Sequence, residues 1–474
     1  MSISESKSST VFDETSSAIA LKPAAPILWK SYLAFLVPMI MSNMLQAMSG
    51  TANNIFLGQM LGVGAMASVS AFFPVFFFLI SFMIGLGAGA SVLIGQAWGA
   101  NEHDRVKAIA GTTLMVGLLA GVVVALFGGT FTEPMLRLLG TPADILPGST
   151  AYARVMLIAA PAIFIFLLAT SMLRGVGDTK TPLYTLLIST VLSMVLTPAL
   201  IRGWLGLPKM GVTSGAYAAG ASFLIAMIWA AWFLRRSVQP HSKHLLAPDA
   251  SLFKHLRIDR VILRKVLKIG LPTGLSMVTI SLAEIAVLFL VNRYGSQATA
   301  AYGAVNQIVN YVQFPAISIA IAASILGAQA IGAGRGNMLG KIAKTGIMLN
   351  LVLTGSLVII GLLFSRNIIG LFITDPNVVN MAKTLLDIML WSSVIMGMSM
   401  VLSGLMRASG EVVMPTAITM FCILCIEIPT AWVLSNAYGI NGIWAAYPIT
   451  FLAMLALQTT YYRLVWRKKP IKRL

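Results

Sequence analysis

Acidic residues are scarce in this chain, and one of them lies deep inside a long apolar segment. The sequence has 15 acidic residues among 474, and Glu284 is flanked on both sides by leucine, alanine and isoleucine. A charge at the centre of a bilayer costs about 2.5–3.5 kcal/mol on insertion scales, so such a carboxyl faces other protein or a wet cavity. Glu284 is therefore a candidate for exchanging a proton or Na⁺. The alternative is a structural carboxyl that hydrogen-bonds to a neighbouring helix.

Two further carboxylates lie in later apolar segments. Glu427, beside Pro429, has no acidic counterpart in the first half of the chain and is the second candidate for binding a coupling ion. Asp387 follows Lys383 by four residues, and side chains at this spacing are neighbours on a helix. We expect a local ion pair there.

Amide side chains form rows on two apolar segments. Asn306, Asn310 and Gln313 have the i, i+4, i+7 spacing that places them on one helical face. A similar row on the first segment contains Asn43, Gln46, Asn53 and Asn54. Such a row either joins helices to one another or lines a cavity, and both alternatives stay open.

The segments that carry these side chains are those of a membrane protein. The chain is 58% hydrophobic and 10% charged, with a mean hydropathy of +0.87. Many apolar runs reach the roughly 20 residues that span a bilayer as a helix, and runs such as 72–93 do not alternate as barrel strands do. The prediction is an all-α membrane protein with helices over 33–57, 66–93, 108–131, 155–173, 182–201, 212–234, 269–291, 299–325, 342–364, 385–405, 415–434 and 442–465.

The chain has a net charge of +18, and its basic residues are placed along the sequence as a membrane topology requires. If both termini lie in the cytoplasm, most of the 33 basic residues fall on cytoplasmic segments, as the positive-inside rule requires. The excess of basic residues therefore reflects the orientation in the membrane and does not indicate a nucleic-acid partner. The chain also offers no clear cofactor or metal site, because Cys422 and Cys425 have no histidine or cysteine near them in the sequence.

The chain contains an internal repeat. The segment 96–100 (QAWGA) matches 329–333 (QAIGA), and 174–178 (RGVGD) matches 407–411 (RASGE), both at an offset of 233. Each half then holds six spans, so both halves insert the same way up. The predicted organisation is a disordered tail (1–30), a six-helix bundle (31–236), a cytosolic linker (237–265), a second bundle related to the first by a pseudo-twofold axis (266–466), and a basic tail (467–474).

The repeat also indicates where the halves differ. Counting back 233 or 234 residues from Asn306 gives Phe73 or Phe72, and counting back from Asn310 gives Phe77 or Phe76. A cleft with one aromatic and one acidic wall suits a flat, apolar cation, through stacking and cation–π contact. The alternative is that the phenylalanines face lipid. This reading assigns Gln46, Asn54, Phe73, Phe76, Phe77, Asn306, Asn310 and Gln313 to a substrate site, and Glu284, Glu427 and Asn53 to a coupling-ion site.

The repeated motifs resemble those of the multidrug and toxic compound extrusion (MATE) transporters. They are 95–100 (GQAWGA) after the second span and 173–182 (LRGVGDTKTP) after the fourth, with second-half copies at 406–411 and Pro415. The resemblance covers about residues 30–465. It implies a monomeric antiporter of the plasma (inner) membrane that expels cationic or amphipathic organic compounds, with Na⁺ or H⁺ as the coupling ion. Its only partners are then the lipid bilayer and the small-molecule substrate.

One position departs from the family pattern. Members often carry an aspartate near the end of the first span, where this chain has Asn53. An asparagine can coordinate a cation but cannot release a proton. A flippase for lipid-linked precursors and a dedicated metabolite exporter of related architecture are alternative functions. A membrane enzyme is less favoured, because the sequence shows no catalytic cluster within its spans.

Overall fold

The computed structural model describes residues 28–236 and 245–474, and in these ranges the chain is helical with no strand. The helices are α1 (Leu28–Leu61), α2 (Val63–Gly99), α3 (His103–Leu138), α4 (Leu146–Ile158), α5 (Ala160–Gly175), α6 (Lys180–Arg202), α7 (Ser214–Arg236), α8 (Ala250–Lys254), α9 (Arg260–Asn292), α10 (Ser296–Gly332), α11 (Leu339–Leu363), α12 (Ser365–Gly370), α13 (Pro376–Met389), α14 (Ser392–Ala408), α15 (Val413–Phe421), α16 (Ile428–Tyr438) and α17 (Ile440–Leu464).

The described helices account for the predicted spans. Nine of them are long and apolar enough to cross a membrane, and the continuous helical stretch Val413–Tyr438, which contains α15 and α16, is a tenth such span. The pairs α4–α5 and α13–α14 are bent by 52° and 42° at short breaks. If each bent pair counts as one span, the described residues hold twelve. The two bent pairs are the fourth and tenth spans, which are equivalent in the repeat. The prediction of an all-α membrane fold is confirmed.

Several predicted boundaries shift by a few residues. Helix α1 begins at Leu28, inside the stretch 1–30 that we expected to be a tail, and the rest of that stretch lies outside the described residues. Residues 237–244 of the linker also lie outside them. Helix α9 begins at Arg260, nine positions before the predicted start of that helix at residue 269, because Asp259 accepts hydrogen bonds from the amides of Val261 and Ile262 at 2.7 and 3.2 Å.

The second part of the linker packs against the first half of the chain. The Thr112 hydroxyl on α3 donates to the carbonyl of Arg257 at 2.9 Å and accepts from the amide of Asp259 at 3.3 Å. His255 Nδ1 lies 2.8 Å from the carbonyl oxygen of Ser251 in its own segment. The described part of the linker is therefore held to the bundle by its backbone.

The two halves meet through small residues. Helix α2 packs against α9 and α10, and α1 packs against α10. Gly85 and Gly89 of α2 face Gly270 and Gly274 of α9 so closely that a Cβ on Gly85 would collide with the backbone of Gly270. Glycines four residues apart let two helices approach backbone to backbone.

The end of the bundle where α2 and α10 terminate is closed by a reciprocal pair of hydrogen bonds. Gln96 Nε2 donates to the carbonyl of Ala408 at 2.7 Å, and Gln329 Nε2 donates to the carbonyl of Gly175 at 3.0 Å. Each glutamine thus bonds to the opposite half. We call this end of the molecule the closed end, and we call these two bonds the glutamine bonds.

The C-terminal residues cross the closed end from the second half to the first. The Leu474 amide donates to Gln96 Oε1 at 2.8 Å, and Arg473 forms an ion pair with Glu102. Lys469 donates to Glu411 at 2.9 Å, and this bond raises the pKa of Lys469. The segment therefore adds contacts between the halves at the end where the glutamine bonds lie.

Candidate functional site

A cavity of about 300 Å³ lies between the two halves. This is within the range of about 300–1,000 Å³ that is usual for ligand pockets. Most of its wall comes from the second half, from helices α9, α10, α13–α15 and α17 and the turn before α16. Among the described residues, the first half contributes Ile84, Ala88, Ser91, Ser171 and Arg174.

Two carboxylates share this cavity. Glu284 of α9 is exposed to it, and Glu427 lines it while only 5% exposed. The two side chains are close enough to interact electrostatically. Like charges in a low-dielectric cavity repel each other, and a proton or a metal cation bound there relieves that repulsion. The arrangement can therefore hold one monovalent cation or an organic cation.

Glu427 owes its position to an irregular turn. Residues Cys422–Glu427 form a wide π-helical turn between α15 and α16. Pro429 has no backbone N–H and its ring interferes with the carbonyl four residues before it, so a regular α-helix cannot continue through this point. Turns of this kind interrupt helices at functional sites. Cys422 is buried and Cys425 is exposed, which places the two thiols in different surroundings.

The amide row on α10 faces the same cavity. Asn306, Asn310 and Gln313 all line it, next to the two carboxylates. The sequence left open whether this row joins helices or lines a cavity, and in the structure the three side chains line a cavity. The structure thus brings together five of the residues that the sequence singled out.

One tyrosine extends the polar wall and a second supports it from behind, and sequence reasoning missed both. Tyr447 of α17 lines the cavity, and its hydroxyl lies 3.0 Å from that of Tyr302, which stacks on Trp444 at 5.6 Å. Near the end of each half the segments 215–219 (GAYAA) and 442–446 (GIWAA) match at an offset of 227, which makes Tyr447 equivalent to Gly220. Comparison of the halves, extended to this pair of segments, would have found Tyr447.

The apolar wall is rich in methionine. Unbranched thioether side chains adapt to ligands of different shape. The methionines that line the cavity are Met277, Met389, Met396, Met400 and Met454.

The remaining predicted residues lie elsewhere in the first half. Asn53 Oδ1 accepts a hydrogen bond from the Thr197 hydroxyl at 3.2 Å, and Asn53 does not line the cavity. Gln46 and Asn54 are exposed and do not line it either. The structure therefore does not bring these three residues to Glu284 and Glu427.

The phenylalanines do not form a wall of the cavity. Phe76 packs into the core of the first half beside Phe72, and Phe73 stacks on Phe77 with ring centroids 6.0 Å apart while remaining 59% exposed. The cavity wall of α2 consists of Ile84, Ala88 and Ser91, at least one turn further along the helix. The expected aromatic wall is thus outside this cavity.

Two arginines form the other polar feature of the cavity. Arg174, in the last turn of α5, and Arg407, in the last turn of α14, both line it. They belong to the repeated motifs 174–178 and 407–411, which the sequence analysis used only to align the halves. The signal that could have found them is the same rarity of charge in apolar segments that drew attention to Glu284.

The sequence model of the MatE family matches the chain twice, over residues 38–199 and 272–433. The chain is similar to the probable multidrug resistance protein YoeA of Bacillus subtilis (strain 168), with 44% identity over 462 residues, 96% of this chain and 98% of that protein.

Solved structures share the fold. The crystal structure of MATE in complex with MaD3S superposes with a TM-score of 0.86 at 22% identity, covering 95% of this chain and 98% of that one. The outward-facing conformation of a multidrug resistance MATE family transporter of the MOP superfamily superposes with a TM-score of 0.85 at 22% identity, covering 96% and 98%. The matches in both halves, the common fold and the extensive similarity to YoeA establish that this chain belongs to the MatE family of membrane transporters.

Proposed function

We propose that this protein is a secondary active transporter that exports small cationic or amphipathic organic compounds in exchange for Na⁺ or H⁺. The observation that carries the proposal is the pair Glu284 and Glu427 in one cavity between the two halves. Membership of the MatE family and the multidrug resistance name of its relative YoeA support the class of substrate.

Coupling follows from competition for the two carboxylates. A proton or Na⁺ bound at Glu284 and Glu427 lowers by one the negative charge that would otherwise attract an organic cation. The side chains of Asn306 and Tyr447, which line the same cavity, offer oxygen atoms to a bound Na⁺. Because ion and substrate exclude each other, entry of one drives exit of the other.

Alternating access requires the closed end to open. Opening breaks the two glutamine bonds, which join the halves to each other, so that the halves can move as rigid bodies. The halves then slide against each other where the glycines of α2 and α9 pack together. We propose that the closed end faces the cytoplasm, in a plasma membrane with both termini inside, because basic residues concentrate on that side. The proposed working unit is a monomer, since the cavity lies within one chain.

The test is gradient-driven export of rhodamine 123, a flat organic cation, from proteoliposomes with an imposed pH or Na⁺ gradient. Glu284→Gln keeps the size of the side chain but removes its charge, so we expect export to fall at least about tenfold. Undiminished export by this variant would contradict the assignment.

Asp387→Asn is the matched control. It makes the same acid-to-amide change at a carboxylate that pairs with Lys383 at 3.1 Å outside the cavity, as the sequence predicted. We expect its export rate to stay within about twofold of the original protein, because exposed ion pairs contribute little.

A further inference from the structure

The cavity that holds the carboxylates has a cationic end. Arg174 and Arg407 are equivalent in the repeat, and each lies in the last turn of its helix at the closed end. On α14 the cavity-lining residues Met396, Met400, Ser403 and Arg407 form one stripe that ends at the arginine. On α9 the lining begins at Thr273 and reaches Glu284, about 16 Å along the helix. The carboxylates and the arginines therefore lie toward opposite ends of one cavity.

Neither arginine is needed to cap its own helix. The carbonyls of Gly175 and Ala408 already accept the glutamine bonds. The carbonyl of each arginine accepts from the amide of a glycine with positive φ, Gly177 for Arg174 and Gly410 for Arg407. The guanidinium groups are thus left for another role.

The nearest carboxylates on the same segments are engaged elsewhere. Asp178 accepts from the amides of Lys180 and Thr181 at 3.1 and 3.0 Å, and Glu411 accepts from Lys469 at 2.9 Å. Within residues 28–236 and 245–474, neither Arg174 nor Arg407 has an ion pair or a hydrogen bond through its guanidinium. The Nε atom of Arg407 is completely buried without a partner.

The surroundings of the two arginines supply donors. Ser171 lies one turn before Arg174, Ser403 lies one turn before Arg407, and Ser324 of α10 lines the same cavity. Guanidinium and hydroxyl groups together match the geometry and charge of a carboxylate. An anion bound here would give the buried Arg407 Nε the acceptor that it lacks.

We propose that Arg174 and Arg407 form an anion subsite that binds the carboxylate of a zwitterionic aromatic substrate. The cationic part of that substrate contacts Glu284 and Glu427 at the other end of the cavity. This inference rests on the proposed export function, and it assigns the anionic part of a substrate to the two arginines at the closed end of the cavity.

The test compares two dyes that differ in a single group. Rhodamine 123 is the methyl ester of rhodamine 110, so the first is a cation and the second carries a free carboxylate. Binding of each dye to the purified protein in lipid nanodiscs is measured by fluorescence anisotropy. We expect Arg407→Gln and Arg174→Gln to weaken rhodamine 110 binding about tenfold and to leave rhodamine 123 binding within about twofold.

Two further variants keep the test specific. Lys344→Gln removes one positive charge from an exposed position outside the cavity, and it should change neither dye's affinity. Arg407→Lys keeps the charge but loses the planar guanidinium group. We expect it to weaken rhodamine 110 binding less than Arg407→Gln does and to leave rhodamine 123 binding unchanged. Unchanged rhodamine 123 binding also shows that each variant is folded.

The outcomes separate the two proposals. If the arginine variants lose equal affinity for both dyes, the arginines have a structural role, and the proposed anion subsite is overturned. The same holds if the unaltered protein binds rhodamine 123 but rejects rhodamine 110. If the unaltered protein binds neither dye, the proposed export of flat organic cations fails, and the subsite fails with it.

Discussion

At the scale of single residues, Glu284 and Glu427 come from different helices to the same cavity. One is exposed to the cavity and the other is almost fully buried, so a ligand reaches Glu284 first. Their electrostatic interaction makes them a unit whose total charge, more than either single charge, decides what binds.

This coupling predicts non-additive losses. Glu284→Gln and Glu427→Gln should each lower gradient-driven rhodamine 123 export at least about tenfold, because each removes half of one cation site. The double variant should export rhodamine 123 no more slowly than the slower of the two single variants, as expected for residues that act together. The measurement is the initial export rate from proteoliposomes, and losses that multiply would show two independent sites.

At the scale of helices, the closed end depends on the crossing of α2 and α10. Gln96 and Gln329 occupy equivalent positions and bond to equivalent carbonyls, yet only Gln96 also accepts from the Leu474 amide. The symmetry is therefore broken by one added contact. Removing either glutamine leaves a buried carbonyl without its donor, at a cost of about 1–3 kcal/mol to the closed arrangement.

We expect Gln96→Ala and Gln329→Ala to open the closed end more often, with the larger effect for Gln96→Ala. The readout is modification of Ser91→Cys, a cavity position, by a membrane-impermeant thiol reagent applied from the closed end, with Cys422 and Cys425 replaced by serine. The rate should rise about tenfold. Gln297→Ala, at an exposed position near the start of α10, is the control. No increase in either variant would show that the glutamine bonds do not hold this end.

At the scale of the whole molecule, two similar halves enclose an asymmetric site. Within the described residues, each half has six spans when a bent pair counts as one, and both halves contribute a bent span and a glutamine bond at the closed end, whereas the cavity wall belongs mostly to the second half. Both halves begin and end on the same side of the membrane if each has six spans.

The proposed orientation can be tested by labelling. In a protein with Cys422 and Cys425 replaced by serine, Ala143→Cys lies in the exposed loop between α3 and α4, and Asn337→Cys lies in the exposed loop between α10 and α11 at the closed end. An impermeant maleimide added to intact cells should label Ala143→Cys, and it should label Asn337→Cys only after the membrane is opened. The reverse pattern would mean that the protein is inserted the other way up.

The sequence by itself determined the helices, the repeat and the scarcity of charge. These properties are local: about 20 apolar residues make a span wherever they occur, and a carboxyl such as Glu284 avoids lipid in any packing. The spacing of Asn306, Asn310 and Gln313 likewise fixed their common face before any neighbour was known.

Only the tertiary structure decided which faces meet. The approach of α2 to α9 through Gly85 and Gly274 sets how α2 is rotated, and this rotation brings Ser91 to the cavity while Phe76 packs into the core of the first half. The same packing places Arg174 and Arg407 at the closed end of the cavity and leaves Asn53 bonded to Thr197. Contacts between helices that are far apart in the chain depend on shape and close approach, which helical periodicity does not encode.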